Sequence, residues 1–196
     1  VKSDVVKEFV MGKRLGRLAA ELLGCRGVRM YHDQALYKEA GGGITPWHAD
    51  QFYWPIVGDN TVTAWIPLQA TPKEMGPLAF SAGSHRFNST GRDIEVSDES
   101  EKKLSKALLE SGLPLIETPF DLGEVSFHLG WPFHRAGPNT TDRPREVMTI
   151  IYVDADAKVA EPANKNQMND LKVWFPGLKP GDGIDSPLNP VIYYAK

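Results

Sequence analysis

The segment TPWHADQFYWP, residues 45–55, places a histidine and an aspartate two positions apart among several aromatic rings. On a regular β-strand residues i and i+2 share a face, so His48 and Asp50 would project together, with Cα atoms about 6–7 Å apart. Phe52 and Trp54 would continue that face as two apolar walls against which a substrate could lie. The spacing therefore predicts a pair of metal ligands with a binding pocket beside them.

A metal needs a further ligand, and the remaining histidines are the candidates: His32, His85, His128 and His134. His134 is favoured by its surroundings, because its strand runs into the turn PNTTD and returns as a second strand that opens with Arg145. In such a hairpin Arg145 lies near the level of His134 and brings a fixed cation close to the metal. Two histidines and one carboxylate form the facial triad of non-haem Fe(II) oxygenases, which leaves coordination positions open.

The bulk properties fit a single domain without nucleic-acid or membrane partners. The chain has 196 residues and a formal net charge of −3, so no basic surface for nucleic acid or anionic lipid is expected. Cys25 is the sole cysteine, which favours a reducing compartment, and we expect a cytoplasmic protein. The sequence opens at Val1 without a signal peptide, and we expect that an N-terminal portion is missing.

The elements that must position these residues can be outlined from the periodicity. Residues 3–24 have apolar side chains at helical spacing and should form one helix that ends at Gly24, and residues 97–112 should form another. Between about 28 and 155, short segments rich in β-branched and aromatic residues predict a strand-rich core. The Pro- and Gly-rich tail, 156–196, is expected to be irregular coil wrapped on a single domain, 1–196.

Three segments together resemble the phytanoyl-CoA dioxygenase family, a branch of the Fe(II)/2-oxoglutarate-dependent oxygenases. They are QALYKEAGGGITPWHADQFYW, TAWIPLQATPKEMGPLAFSAGSHR and FHRAGPNTTDRPREVMTIIYV, and with the residues between them they span about residues 30–155. The H-x-D pair alone is a weak signal, whereas its combination with the two later motifs is specific. The resemblance implies an all-β dominated fold, a double-stranded β-helix (cupin-like jelly roll) with flanking helices and iron between its two sheets.

The same resemblance implies a role for each matching residue. His48, Asp50 and His134 match the iron ligands of the family, and Arg145 matches the arginine that binds the distal carboxylate of 2-oxoglutarate. A planar guanidinium is suited to that task because it holds a carboxylate through two parallel hydrogen bonds.

Further matches concern the co-substrate pocket. Trp65 matches a tryptophan that borders 2-oxoglutarate, and Gln34 falls at a position that contacts it. Two departures stand out: Ala136 replaces a serine that can assist the co-substrate carboxylate, and a lysine contact upstream of the core has no match.

The implied activity is hydroxylation of an unactivated C–H bond of a small molecule, with Fe(II), 2-oxoglutarate and O₂, and with release of succinate and CO₂. A halogenase of this family would have a small residue in place of Asp50. Two other classes stay open: a non-catalytic cupin-like binding module, and a metal-dependent isomerase or hydrolase that uses the same three ligands. Arg145 favours the oxygenase, because neither alternative needs a buried cation one co-substrate length from the metal.

Overall fold

The computed structural model describes residues 3–86 and 93–195, which form nine β-strands and four α-helices. The strands are β1 (Gly27–Lys38), β2 (Thr45–His48), β3 (Thr61–Pro67), β4 (Leu78–Ser81), β5 (Leu115–Glu117), β6 (Ser126–Leu129), β7 (His134–Ala136), β8 (Arg145–Asp154) and β9 (Val191–Tyr194). The helices are α1 (Asp4–Val10), α2 (Lys13–Leu23), α3 (Asp98–Glu110) and α4 (Lys165–Trp174). Short 3₁₀ helices occupy Asp50–Tyr53, Lys73–Met75 and Ser84–Arg86. The predominance of strands confirms the predicted β-rich class.

The strands form two antiparallel sheets. One has five strands in the order β6-β3-β8-β1-β9, and the other has four in the order β2-β7-β4-β5. The longest pairing joins β1 to β8, from Val28 opposite Asp154 to Lys38 opposite Arg145. Both sheets contribute side chains to one cavity, so the cavity lies between them.

The centre of the five-stranded sheet is apolar on both faces, because both faces are covered. All seven residues of β3 are buried, as are eight of the ten residues of β8. One face packs against α1 and α2 through residues such as Val10, Ala19 and Ile150. Strands covered on both faces read as nearly continuous apolar runs rather than as alternating ones, which explains sequences such as VMTIIYV.

The N-terminal region contains two helices where the sequence predicted one over residues 3–24. The break falls at Met11 and Gly12, where Gly12 has a ψ of 115° and its N–H donates to the Phe9 carbonyl. Glycine destabilises a helix interior, which accounts for the interruption there. Gly24 ends α2 in the left-handed conformation with a φ of 66°, as predicted.

The predicted helix over 97–112 is confirmed as α3. Ser97 and Ser100 cap its first turn reciprocally, each side chain accepting a hydrogen bond from the other's backbone N–H. Leu104 and Leu108 pack on Trp47 of β2 and on Phe133, which directly precedes β7. The helix thus covers the outer side of the segment that carries the predicted metal ligands. Residues 87–92 lie outside the described residues.

The prediction that residues 156–196 are irregular coil is wrong for two segments. Asn164 caps α4 by accepting a hydrogen bond from the Gln167 N–H, and β9 pairs with the start of β1. Phe175 and Ile184 are buried against Tyr31 in the same apolar cluster. The abundant Pro and Gly lie in the connections between these segments. Their frequency in the sequence led to a prediction of coil for the whole tail, including the helix and the strand.

None of the helices within residues 3–86 and 93–195 has the length and apolar character that crossing a membrane requires.

Candidate metal and co-substrate site

A cavity of about 560 Å³ lies between the two sheets and contains most of the residues that the sequence singled out. Its wall is built chiefly by β1, β3 and β8 on one side and by β2 and β7 on the other. Its lining includes the following residues from these strands: His32, Gln34, Lys38, His48, Thr63, Trp65, His134, Ala136, Arg145 and Thr149.

His48 and Asp50 meet, although not on a regular strand as predicted. β2 ends at His48, Ala49 is still extended, and a 3₁₀ helix begins at Asp50. The chain therefore turns after the H-x-D pair, and His48 Nε2 lies 3.6 Å from Asp50 Oδ1.

The turn changes the predicted roles of the aromatic residues that follow. Phe52 does not line the cavity; its carbonyl accepts hydrogen bonds from Asn164 Nδ2 (3.3 Å) and Gln167 Nε2 (3.0 Å) and so anchors the start of α4. Trp54 does line the cavity, and Tyr53 joins it. The expectation that Phe52 is a wall of the cavity beside Asp50 is wrong, because it assumed strand periodicity beyond residue 49.

His134 completes the cluster from the neighbouring strand. It is the Cα partner of His48 between β7 and β2, and its Nε2 lies 3.6 Å from Asp50 Oδ1. One ligand atom from each of His48, Asp50 and His134 lies within 4.8 Å of the others, close enough for a single metal ion. The structure thus brings together the three residues predicted as a triad.

The hydrogen bonds around the two histidines fix which ring nitrogen of each could bind a metal. His48 Nδ1 lies 2.7 Å from the Pro46 carbonyl, and His134 Nδ1 lies 3.1 Å from the Pro132 carbonyl. A carbonyl can only accept, so each Nδ1 carries the proton and each Nε2 keeps its lone pair towards Asp50. Two neutral imidazole nitrogens and one carboxylate are a donor set that fits iron.

The electrostatics of the cluster agree with this protonation. Burial lowers the pKa of His48 to about 4, assisted by His134, and also lowers the pKa of His134. Burial by itself would raise the pKa of Asp50, but His134, His128 and His48 together lower it below its ordinary value. At neutral pH the three residues therefore present two neutral bases and one anion.

The two oxygens of Asp50 have different neighbours. Oδ1 is the oxygen near both histidines of the triad, whereas Oδ2 accepts a hydrogen bond of 3.4 Å from Thr63 Oγ1. His128 Nε2 also lies 3.4 Å from Oδ2, and neither ring nitrogen of His128 makes a hydrogen bond. The sequence offered His128 only as an alternative to His134 for the third ligand and gave no sign of this contact, which depends on the pairing of β6 with β3.

Arg145 reaches the cavity by a different route from the predicted hairpin. β7, with His134, belongs to the four-stranded sheet, and β8, with Arg145, belongs to the five-stranded sheet, so the two strands do not pair. The turn between them carries the chain from one sheet to the other and is fixed by Asn139, whose Nδ2 donates to the carbonyls of Lys38, Glu39 and Arg143. Both side chains still line one cavity.

Arg145 is buried, with 5% of its surface exposed, and its guanidinium lies 5.4 Å from the centre of the Trp65 ring. Its Nη1 donates to the Gly76 carbonyl, while its Nε has no hydrogen-bond partner. Burial lowers the pKa of Arg145 to about 10, so the group remains a cation at neutral pH. A buried guanidinium with unused donors is suited to binding a carboxylate.

Lys38 is a second buried cation at this end of the cavity, and the sequence did not single it out. Its Nζ donates to the carbonyls of Gly43 (2.9 Å) and Gly137 (2.6 Å). It stands opposite Arg145 in the β1–β8 ladder. The two-residue period of a strand could have indicated its position. Along β1, every second residue from His32 to Lys38 lines the cavity: His32, Gln34, Leu36 and Lys38.

The other predicted contacts also lie at the cavity. Gln34 lines it from β1, and Trp65 is almost fully buried in its wall. A wall that the sequence missed comes from α4, which supplies Asp170 and Trp174. Trp174 stacks on His32 with ring centres 4.5 Å apart, and Asp170 Oδ2 accepts a 2.6 Å hydrogen bond from the buried Tyr31 hydroxyl.

Comparison with known proteins identifies the family. The family model described as phytanoyl-CoA dioxygenase (PhyH) matches residues 1–147 of the 196. A probable alpha-ketoglutarate-dependent hypophosphite dioxygenase of Stutzerimonas stutzeri is 26% identical over 159 residues, which are 79% of this chain and 54% of the relative. A 1-deoxypentalenic acid 11-beta-hydroxylase of Streptomyces exfoliatus is 26% identical over 155 residues, 74% of this chain and 50% of the relative. The chain thus spans about half the length of these curated relatives.

Solved structures with the same architecture come from nogalamycin biosynthesis. The epimerase SnoN, in complex with Fe³⁺, alpha ketoglutarate and nogalamycin RO, has a TM-score of 0.78 and 26% identity, over 97% of this chain and 75% of that one. The non-heme alpha ketoglutarate dependent carbocyclase SnoK has a TM-score of 0.77 and 26% identity, over 98% of this chain and 72% of that one. A hydroxylase, an epimerase and a carbocyclase therefore all resemble this chain to a similar degree.

Proposed function

We propose that this chain, which belongs to the phytanoyl-CoA dioxygenase family, is an iron- and 2-oxoglutarate-dependent oxygenase. It would hydroxylate an unactivated C–H bond of a small molecule. The observation that carries the proposal is the presence, in one cavity, of the His48–Asp50–His134 cluster and the buried cation Arg145. His48, Asp50 and His134 would hold iron, and Arg145 would bind the distal carboxylate of 2-oxoglutarate. When bound, iron would couple the oxidative decarboxylation of 2-oxoglutarate by O₂ to oxidation of the substrate.

The order of the strands supports a double-stranded β-helix, or cupin-like jelly roll, as the framework. Within the two sheets, β1-β8-β3-β6 lies opposite β2-β7-β4-β5, and from β1 to β8 consecutive strands alternate between the sheets except at β4 and β5, which pair with each other. Two four-stranded sheets connected in this way are the arrangement of a jelly roll. β9 and the helices α1 to α4 would then be additions to a single oxygenase domain.

The residues of the chain divide the cavity into regions with different tasks. Arg145 and the wall residue Trp65 would fix the co-substrate at one end, while Trp54 and Trp174 would face the organic substrate. Apolar aromatic walls exclude water and press a substrate carbon towards the metal position. Because carbonyls orient His48 and His134, and Thr63 contacts Asp50, the proposed ligands would be positioned before substrate enters.

Asp50 supports hydroxylation over halogenation, because a carboxylate at this position occupies the place that a halide would need. The similarity to an epimerase and a carbocyclase leaves the outcome of substrate oxidation to be measured directly. Both of those reactions would consume 2-oxoglutarate without placing an oxygen atom in the product, which separates them from hydroxylation.

The experiment is a screen of small molecules with the purified, iron-loaded protein, scored by succinate formation under ¹⁸O₂. We expect succinate and a product whose new hydroxyl oxygen is largely ¹⁸O. A product without ¹⁸O would show that the reaction is a rearrangement such as epimerisation and not a hydroxylation. A chlorinated product in the presence of chloride would contradict the role given to Asp50. A protein that never consumes 2-oxoglutarate, and shows no visible charge-transfer band with Fe(II) and 2-oxoglutarate under anaerobic conditions, would favour a binding module.

A further inference from the structure

We infer that Lys38 is a second co-substrate-binding cation, which acts with Arg145 to select a 2-oxo acid that carries a second carboxylate. The inference rests on the proposed function and concerns the specificity of the same site. It starts from the β1–β8 ladder, in which Lys38 and Arg145 are Cα partners at the end of the pairing. Residues directly opposite in an antiparallel pair project from the same face, and both side chains line the cavity.

The two cations are buried without a compensating anion. Lys38 is 8% exposed and Arg145 is 5% exposed. Over the described parts of the chain, no carboxylate forms an ion pair with either of them. Like charges directly opposite in a sheet destabilise it, and a buried charge without a partner is costly. An arrangement of this kind is stabilised when an anion binds between the two groups.

The donors of both groups are only partly used. An ammonium has three N–H donors, and Lys38 directs two of them to the Gly43 and Gly137 carbonyls, which leaves one. Arg145 has its Nε free and one Nη1 hydrogen bond to the Gly76 carbonyl. Ala136, which lines the same cavity, offers no side-chain donor. The remaining donors of Lys38 and Arg145 are therefore available to a bound carboxylate.

The proximity of the two cations is also visible in the protonation of the lysine. Burial lowers the pKa of Lys38 to about 8, and the charge of Arg145 contributes to the shift. A bound carboxylate would offset both effects and return the ammonium to its fully charged form at neutral pH. A 2-oxo acid that ends in a methyl group would leave the two charges uncompensated, and this difference is the basis of the selection.

A purely structural role for Lys38 makes a different prediction. Its two hydrogen bonds tie the Gly43 loop and the Gly137 turn together. Lys38→Gln retains two N–H donors but loses the charge, whereas Lys38→Arg retains the charge. Glutamine is also one bond shorter than lysine, so Lys38→Gln disturbs the tether as well, and the loss of a tether alone would weaken every ligand of the cavity equally.

The test is calorimetric binding of 2-oxoglutarate and of 2-oxopentanoate to Mn(II)-loaded protein, which requires no turnover. We expect Lys38→Gln to weaken 2-oxoglutarate on the order of 10- to 100-fold, the size of a hydrogen bond to a charged group. Binding of 2-oxopentanoate should be unchanged, and Lys38→Arg should recover much of the 2-oxoglutarate affinity. Lys102→Gln, on the exposed face of α3, is the control for net charge and should match the wild type.

Two results would overturn the inference. One is wild-type affinity of Lys38→Gln for 2-oxoglutarate, and the other is an equal loss for both 2-oxo acids, with a lowered melting temperature. Both leave the proposed function intact. If the wild-type protein binds neither acid, the proposed function fails and the inference fails with it.

Discussion

His128 Nε2 lies 3.4 Å from Asp50 Oδ2, the carboxylate oxygen that does not face His48 and His134. Thr63 Oγ1 donates to the same oxygen. The carboxylate is thus oriented so that Oδ1 alone is presented to the other two proposed ligands. Monodentate binding by Asp50 would leave more positions for co-substrate and O₂ than bidentate binding would.

The neighbours of Oδ2 should therefore tune metal binding without being ligands. Outer contacts of this kind typically change metal affinity or activity by about 10- to 100-fold. We expect His128→Ala and Thr63→Val to weaken Fe(II) binding within that range, as measured by competition with a chelator. Thr61→Val is the matched control, because Thr61 Oγ1 bonds Gln51 and not Asp50. An unchanged affinity in both His128→Ala and Thr63→Val would contradict the role given to Oδ2.

Removal of a proposed ligand should have a larger effect on the metal than removal of its neighbours. His48→Ala, Asp50→Ala and His134→Ala should each lower iron content sharply, because each deletes one of the three proposed protein donors. Circular dichroism should still report the wild-type fold, since other contacts hold the strands. Full iron binding in His134→Ala together with its loss in His128→Ala would show that His128, not His134, is the third ligand.

Arg145→Ala should raise the 2-oxoglutarate concentration required for turnover by orders of magnitude. Losing one partner of a desolvated, charge-assisted pair typically costs about 2–5 kcal/mol. Arg143, an exposed residue two positions earlier, provides the control, and Arg143→Ala should change little. Steady-state kinetics with varied 2-oxoglutarate would measure both, and equal effects would refute the assignment of Arg145.

The metal-free protein should lose stability as the pH falls from about 6.5 to 4. His32 is buried, and burial lowers its pKa to about 4 from the ordinary 6.5. The unfolded chain therefore binds a proton in this window that the folded chain does not, so the free energy of unfolding rises with pH there, by up to about 3 kcal/mol for this one group. His32→Phe should reduce that pH dependence in denaturant titrations while preserving the packing on Trp174. An identical pH dependence in wild type and variant would contradict the argument.

Sequence reasoning located the residues whose signal is local. The H-x-D spacing and the motif around His134 were sufficient to predict the cluster, although the chain turns into a 3₁₀ helix at Asp50. Strand periodicity failed for Phe52 because nothing local marks where a strand stops. The turn after His134 was identified, but whether the next strand pairs in the same sheet or the other one depends on long-range topology.

The residues that were missed depend on contacts between distant segments. His128 reaches Asp50 because β6 pairs with β3, and Lys38 is buried because the Gly43 and Gly137 segments close over it. A lysine at the end of a strand would ordinarily extend its ammonium into water. α4 is a ten-residue helix between Pro- and Gly-rich segments, too short to give a clear apolar period.

The pairing of β9 with β1 has a consequence for how separate molecules behave towards one another. β9 covers the start of β1, and the buried Asn189 donates from Nδ2 to the carbonyls of Met30 and Tyr31 just beyond it. Without these contacts, that margin of the sheet would present free backbone N–H and C=O groups, which readily recruit a strand from another chain. The C-terminal segment, which supplies none of the proposed metal or co-substrate ligands, therefore replaces the start of β1 at the sheet edge with a strand of four residues, and a short edge strand offers another chain less to pair with.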